Sequence, residues 1–149
     1  MDTTEDRRWK HLAARPLGLV ILALLVVSVA GWVIDDSSLQ REGGSWGYTF
    51  AAFAFAVYAV PVMVVTAVCA LLTLSVDGLR AVVLCAWIAA LACALAGLLL
   101  AFLAVDALVG SPAGTVFGLV TLPVAGSLLW PLVTCVRRTR AERQPAAES

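Results

Sequence analysis

Charged side chains are scarce in this chain and absent from four long stretches of it. They make up 13% of its 149 residues, whereas a soluble domain carries about 25%. The charge-free stretches run from Pro16 to Ile34, Gly43 to Val76, Ala81 to Val105 and Ala107 to Val136. About 20 consecutive apolar residues cross a bilayer core, so each stretch can span a membrane. The composition therefore predicts an integral, multi-pass membrane protein rather than a soluble one.

Groups that carry catalysis or bind metals are also scarce. His11 is the single histidine, and it lacks the carboxylate neighbours that would complete a metal site. The charge-free stretches supply none of the ionisable groups that proton-coupled transport needs within the membrane. The cysteines form no CxxC pair, and we interpret them as small apolar residues: Cys69, Cys85, Cys93 and Cys135. We therefore expect no enzymatic activity, no cofactor and no metal site.

The lengths of the apolar runs predict the architecture. The runs are continuous rather than alternating, which disfavours a membrane β-barrel. The very short connection at 77–80 makes the second and third helices antiparallel neighbours. The expected spans are 16–34, 50–75, 82–105 and 114–136. The fold class is thus predicted to be all-α, with four transmembrane helices in an antiparallel bundle.

The expected transmembrane domain, residues 16–136, is flanked by short polar segments. Residues 1–15 are predicted to form a basic arm, with Pro16 at the start of the first helix. Residues 137–149 are predicted to be a basic and then disordered tail. An alternative is that residues 1–30 are a signal peptide cleaved after Ala30, although the apolar run continues to Ile34.

The remaining charges are unevenly distributed. Nine of the ten basic residues precede the first span, lie between the second and third, or follow the fourth, and Arg41 is the exception. The positive-inside rule then places both termini in the cytoplasm of a cell-membrane protein. The basic ends would also attract anionic lipid headgroups. This orientation places Asp35, Asp36 and Asp106 at the opposite, non-cytoplasmic face of the membrane, where we expect them to form an exposed, solvated rim.

Small side chains follow one face of the third helix, at spacings of three and four residues. Such a stripe lets helix backbones approach closely, which is how helices associate in lipid. The fourth helix begins with a GxxxG pair, and Gly126 is predicted to continue its row. We expect contact between the third and fourth helices here, with homodimerisation as the competing use. The predicted packing residues are Ala86, Ala90, Cys93, Gly97, Ala101, Ala104, Gly114 and Gly118.

Prolines and aromatic residues offer a second interpretation, because prolines within spans kink helices and can line a transport path. Thr66, Thr121 and Ser127 are placed to re-satisfy the backbone near these prolines. The candidate ligand-lining residues are Phe50, Phe53, Tyr58, Pro61, Pro123 and Pro131.

The sequence thus favours a small, non-enzymatic membrane protein that acts through helix packing, as an accessory subunit or scaffold. The alternative is a small transporter or channel for an uncharged or lipid-like solute. The expected partners are the lipid bilayer and either another membrane protein or a second copy. Nucleic acid is not expected, because the basic tails lack interleaved stacking aromatics.

Overall fold

The computed structural model describes residues 3–42, 47–76 and 78–144 and forms a bundle of four helices. They are α1 (Thr3–Glu42), α2 (Gly47–Ser75), α3 (Leu79–Gly110) and α4 (Pro112–Arg143). Each is long and apolar enough to cross a membrane, and the described ranges contain no strand. The chain is therefore an all-α, multi-pass membrane protein, which confirms the predicted fold class.

The order of the helices around the bundle follows their order along the chain. Consecutive helices are in contact, α4 closes the ring against α1, and α1 also touches α3 across the bundle. The α2–α4 diagonal makes the least contact. One end of the bundle carries the α1–α2 and α3–α4 connections and is called the acidic end, after Asp35, Asp36 and Asp106. The other, called the basic end, carries Arg8, Arg15, Arg80 and Arg138 beside the termini and the α2–α3 connection.

Helix α1 is much longer than the predicted span and includes the basic arm. Pro16 lies inside the helix, not at its start, so the predicted first residue is wrong. One buried face runs along α1 at spacings of three and four residues, which keeps it on one side of the helix. Its members are Trp9, Ala13, Pro16, Val20, Ala23, Val27, Gly31 and Ile34. Six members of this face, from Trp9 to Val27, lie within the segment 1–30 that was weighed above as a signal peptide.

The other helices also extend beyond the predicted spans. Helix α4 continues through residues 137–143, so this part of the predicted tail is helical. Residues 145–149 lie outside the described part of the chain. The α3–α4 connection consists of Ser111 alone, because α3 ends at Gly110 and α4 begins at Pro112. Connections this short fix the antiparallel pairing of neighbouring helices.

Buried side chains form two clusters along the bundle. The larger cluster contains Phe55, Leu100, Phe117 and Leu128 between the helices. A smaller cluster lies toward the basic end, where Trp9 of α1 packs among residues of α3 and α4. Outward-facing positions carry large apolar side chains, as a lipid-facing surface requires. The exposed apolar residues of α3 include Leu84, Ile88, Leu91, Leu95, Leu98 and Phe102.

Hydroxyl side chains in the spans donate to carbonyls of their own helix. Thr66 Oγ1 donates to Val62 and Met63, Thr121 Oγ1 to Phe117 and Gly118, and Ser127 Oγ to Val124. A proline frees the carbonyl four residues before it, which here belongs to Val57, Leu119 or Ser127. The three hydroxyls therefore do not donate hydrogen bonds to the carbonyls that the prolines leave without an amide partner, although the sequence suggested that they would. Instead, each hydroxyl satisfies its own hydrogen-bonding capacity with a carbonyl of its own helix.

Candidate functional site

The Asp35 carboxylate lies at the acidic end, between α1 and the start of α2. Its side chain is fully buried, at 0% exposure. Oδ1 accepts a hydrogen bond from the Tyr48 amide at 3.2 Å, and Oδ2 accepts one from the Thr49 amide at 2.6 Å. The first four amides of a helix have no partner within that helix. Asp35 thus caps α2 from the neighbouring helix.

This arrangement corrects the prediction of a solvated acidic rim. Asp36 and Asp106 are exposed, as the sequence suggested, but Asp35 points into the bundle. A carboxylate at a helix N-terminus is favoured by the partial positive charge there, and its hydrogen bonds to amides are charge-assisted. These contacts offset the cost of burying the charge. They also fix the register between α1 and α2.

Tyr48 extends the same network to the other pair of helices. Its hydroxyl lies 2.7 Å from Ser111 Oγ, which in turn accepts a hydrogen bond from the Gly114 amide at 3.1 Å. Ser111 is therefore the N-cap of α4. The Tyr48 ring also packs on Phe117, with centroids 5.3 Å apart. A chain of polar contacts thus joins α1 to α2 and α2 to the α3–α4 connection.

Close backbone approach accompanies this network. A Cβ atom added at Gly31 would lie 2.7 Å from the Tyr48 carbonyl oxygen. One added at Gly114 would collide with the Ala107 carbonyl oxygen and reach the Tyr48 hydroxyl. Only glycine fits either position, so both contribute to where the helices can lie relative to one another.

Gly97 and Ala104 of α3 lie against α4, in what we call the α3–α4 interface. Ala86 and Ala90 belong to a cluster that also includes Trp9 of α1 and Cys135 of α4. A Cβ at Gly97 would lie 2.9 Å from Leu128 Cβ, and one at Gly118 would lie 2.8 Å from the Ala104 carbonyl oxygen. Ala101 is partly exposed. The buried members of the proposed packing set are Ala86, Ala90, Cys93, Gly97, Ala104, Gly114 and Gly118.

Gly126 does not belong to this interface, although the sequence placed it in the same row as Gly118. It is exposed, and a Cβ added there would meet nothing within 4 Å. The buried row of α4 instead passes through Thr121, Ala125 and Leu128. The row advances three residues as well as four, because 3.6 residues complete a helical turn.

The candidate ligand-lining residues are not brought together. Phe50 and Phe53 are 73% and 65% exposed, and their ring centroids lie 6.3 Å apart on the outer face of α2. Tyr58, Pro61 and Pro123 are also exposed, and Pro131 alone of this set is buried. The structure thus places most of this set on the surface of the bundle rather than around an internal path.

At the basic end, α1 is held against α4 by an aromatic contact. Trp9 is 2% exposed, and the Arg138 guanidinium lies 4.7 Å from the centroid of its ring. This distance is within the range of a cation–π interaction. A groove of about 400 Å³ lies beside this contact and is lined by Arg8, His11, Leu12, Arg15 and Arg138.

Sequence reasoning missed both ends of the bundle for the same reason. The buried face of α1 repeats at spacings of three and four residues, and the same spacing continued toward both ends reaches Trp9 and Asp35. The predicted helix extended only from Pro16 to Ile34, so neither Trp9 nor Asp35 was placed on the buried face.

Within the described ranges, no group of three or more His, Cys, Asp or Glu side chains is positioned to hold a metal ion.

No protein-family model, curated protein or solved structure matches this chain.

We expect Asp35→Ala to destabilise the bundle by about 1–3 kcal/mol, because two amides of α2 lose their partner in a buried setting. Asp36→Ala, its exposed neighbour, should have little effect. Unfolding by sodium dodecyl sulfate in mixed micelles, followed by circular dichroism, gives both values. Equal stability of the two variants would contradict the capping role.

Gly118→Ala should lower stability by about 1–3 kcal/mol, since its methyl group would overpack against the Ala104 carbonyl and Leu108. Gly126→Ala on the same helix meets open space and should be neutral or stabilising. The same unfolding assay compares them. A Gly118→Ala variant as stable as Gly126→Ala would show that the α3–α4 interface is not closely packed.

Proposed function

We propose that this protein is a non-enzymatic accessory subunit or scaffold of a membrane assembly, and that it acts through contacts on its outer surface. The observation that carries the proposal is that the small-residue faces of α3 and α4 are used within the bundle. Contact with a partner therefore falls to the outward faces of the helices.

The character of the interior supports this assignment. Apolar side chains fill it over the described ranges, and the buried polar residues there are Asp35, Thr66, Thr73 and Thr121. Asp35 caps α2, and each of the three threonines donates to a carbonyl of its own helix. The hydrogen bonds of these groups thus support the fold.

The outer face of α2 is the best surface for a partner. Its apolar segment has the smallest buried share of the four helices. The exposed rings of Phe50 and Phe53 lie 6.3 Å apart near its acidic end, and Tyr58 is exposed further along the same helix. Aromatic side chains provide large, rigid contact areas, and they are enriched at protein interfaces. We assign this aromatic surface, Phe50 with Phe53 and Tyr58, as the contact surface for another membrane protein.

The residues named for the transporter alternative do not line an internal path through the bundle. Pro61 and Pro123 face outward, and the interior threonines direct their hydroxyls to their own helices. If transport were nevertheless the function, reconstituted protein would move a solute and Pro61→Ala would change the rate.

We also propose that both termini lie in the cytoplasm and that the protein resides in the cell membrane. The supporting feature is the charge distribution, because the basic end gathers both termini and the α2–α3 connection. Cytoplasmic connections are enriched in lysine and arginine.

The contact proposal predicts a site-specific cross-link in native membranes. A photoreactive amino acid at Phe53 should form a discrete protein adduct, identified by mass spectrometry. The same probe at Leu95 on α3 should form none, and it is a matched control because Phe53 and Leu95 are 65% and 66% exposed. Lipid adducts alone at Phe53, or the same protein adduct at both positions, would contradict the assignment.

A paired variant separates contact from folding. Phe50→Ala with Phe53→Ala should reduce co-purification of the cross-linked protein severalfold while leaving the unfolding curve unchanged, since both rings are exposed. Unchanged recovery of the partner would remove the aromatic surface from consideration.

The proposed orientation predicts which side exposes the termini. Epitope tags at either end should be digested by protease added to the cytoplasmic face of sealed vesicles and protected from protease on the opposite face. Recovery of the N-terminal tag on the intact protein also tests cleavage after Ala30. Digestion from the opposite face would reverse the orientation.

A further inference from the structure

The groove beside Trp9 gathers positive charge from two helices. Arg8, His11 and Arg15 follow one another on α1 at spacings of three and four residues, which places them on one face. Arg138 of α4 completes the wall, and Leu12 supplies an apolar side chain. Three arginines and a histidine thus line an open groove of about 400 Å³.

The cations in this groove are only partly neutralised. Arg138 Nε lies 3.6 Å from Glu142 Oε1, a long and partly exposed contact. Asp6, two residues before Arg8 on α1, pairs with Lys10 at 3.0 Å instead. Over the part of the chain that the structure describes, neither Arg8 nor Arg15 forms an ion pair with a carboxylate. The groove therefore keeps a net positive charge.

The inner part of the groove, at Arg15 and Arg138, lies at the depth of the headgroup layer of a bilayer. Arg15 directly precedes the charge-free run that begins at Pro16, and Arg138 lies two residues beyond the run that ends at Val136. Headgroup regions add about 5–7 Å on each side of the hydrocarbon core. Each helical residue rises about 1.5 Å, so Arg15 and Arg138 fall at this level.

The chemistry of the lining selects a phosphate group. Arginine offers a planar fork of donors that matches phosphate oxygens, unlike the point charge of lysine. The Trp9 ring positions the Arg138 guanidinium at 4.7 Å, which limits the freedom it would lose on binding. Leu12 supplies an apolar part of the groove wall.

We propose that the groove formed by Arg8, His11, Leu12, Arg15 and Arg138 binds the phosphate headgroup of an anionic phospholipid. Basic pockets between membrane helices recognise such headgroups through charge and hydrogen bonding. Because the groove joins α1 to α4, a bound lipid also connects the first helix to the last. This site is separate from the aromatic surface of α2.

The test measures retained lipid by native mass spectrometry of the full chain in neutral detergent micelles, which have no anionic surface of their own. Dioleoylphosphatidylglycerol is the probe, and dioleoylphosphatidylcholine is the zwitterionic control. We expect Arg8→Gln with Arg15→Gln to weaken phosphatidylglycerol binding by about tenfold. Arg80→Gln with Arg140→Gln removes the same charge outside the groove and should change binding by less than about twofold.

The outcomes distinguish a site from general attraction. Equal losses in the two double variants would overturn the proposal in favour of diffuse charge. Equal retention of the two lipids would overturn the preference for an anionic headgroup. Displacement by an equal concentration of inorganic phosphate would assign the groove to free phosphate instead. Both pairs remove exposed side chains, and matching unfolding curves will show that folding is unaffected.

Discussion

The bundle depends on close approach between helix backbones. Lipid removes the usual gain from burying apolar surface, so van der Waals contact and internal hydrogen bonds must hold the helices together. Gly31, Gly97, Gly114 and Gly118 each lie where a methyl group would meet a neighbouring helix. The polar contacts of Asp35, the Tyr48–Ser111 bond and the outward placement of large side chains all follow from helices held this close.

The two ends of the bundle solve different problems. At the acidic end, carboxylate and hydroxyl oxygens satisfy amides at the starts of α2 and α4, which would otherwise lack partners. At the basic end, Trp9 and Arg138 hold α1 against α4 beyond the charge-free runs. The apolar middle of the bundle needs neither caps nor a cation–π contact, because its backbone amides and carbonyls form hydrogen bonds within each helix. Specific side-chain chemistry is therefore concentrated where the helices leave the hydrocarbon.

Composition and run length were enough to predict four membrane helices, and side-chain size indicated Gly97 and Ala104, which lie close to α4. The periodicity of the buried face of α1 points to Asp35 rather than Asp36, but the charge-free run ends at Ile34 and gives no sign that the helix continues. The inward position of Asp35 depends on α1 continuing past Ile34 with its phase unchanged, and on α2 presenting the amides of Tyr48 and Thr49 to it. Gly126 was placed on the buried face in error. A helix completes a turn in 3.6 residues, so a row continued from Gly118 in steps of four leaves the buried face.

The Asp35 cap has a consequence for the order of assembly. Its partners, Tyr48 and Thr49, follow only 13 and 14 residues later in the chain. Ser111 likewise bonds to an amide three residues away. Such local contacts can form early, because little chain entropy is lost in closing them. Each hairpin can therefore complete its own caps during synthesis, and the Tyr48–Ser111 bond then forms when the two hairpins meet.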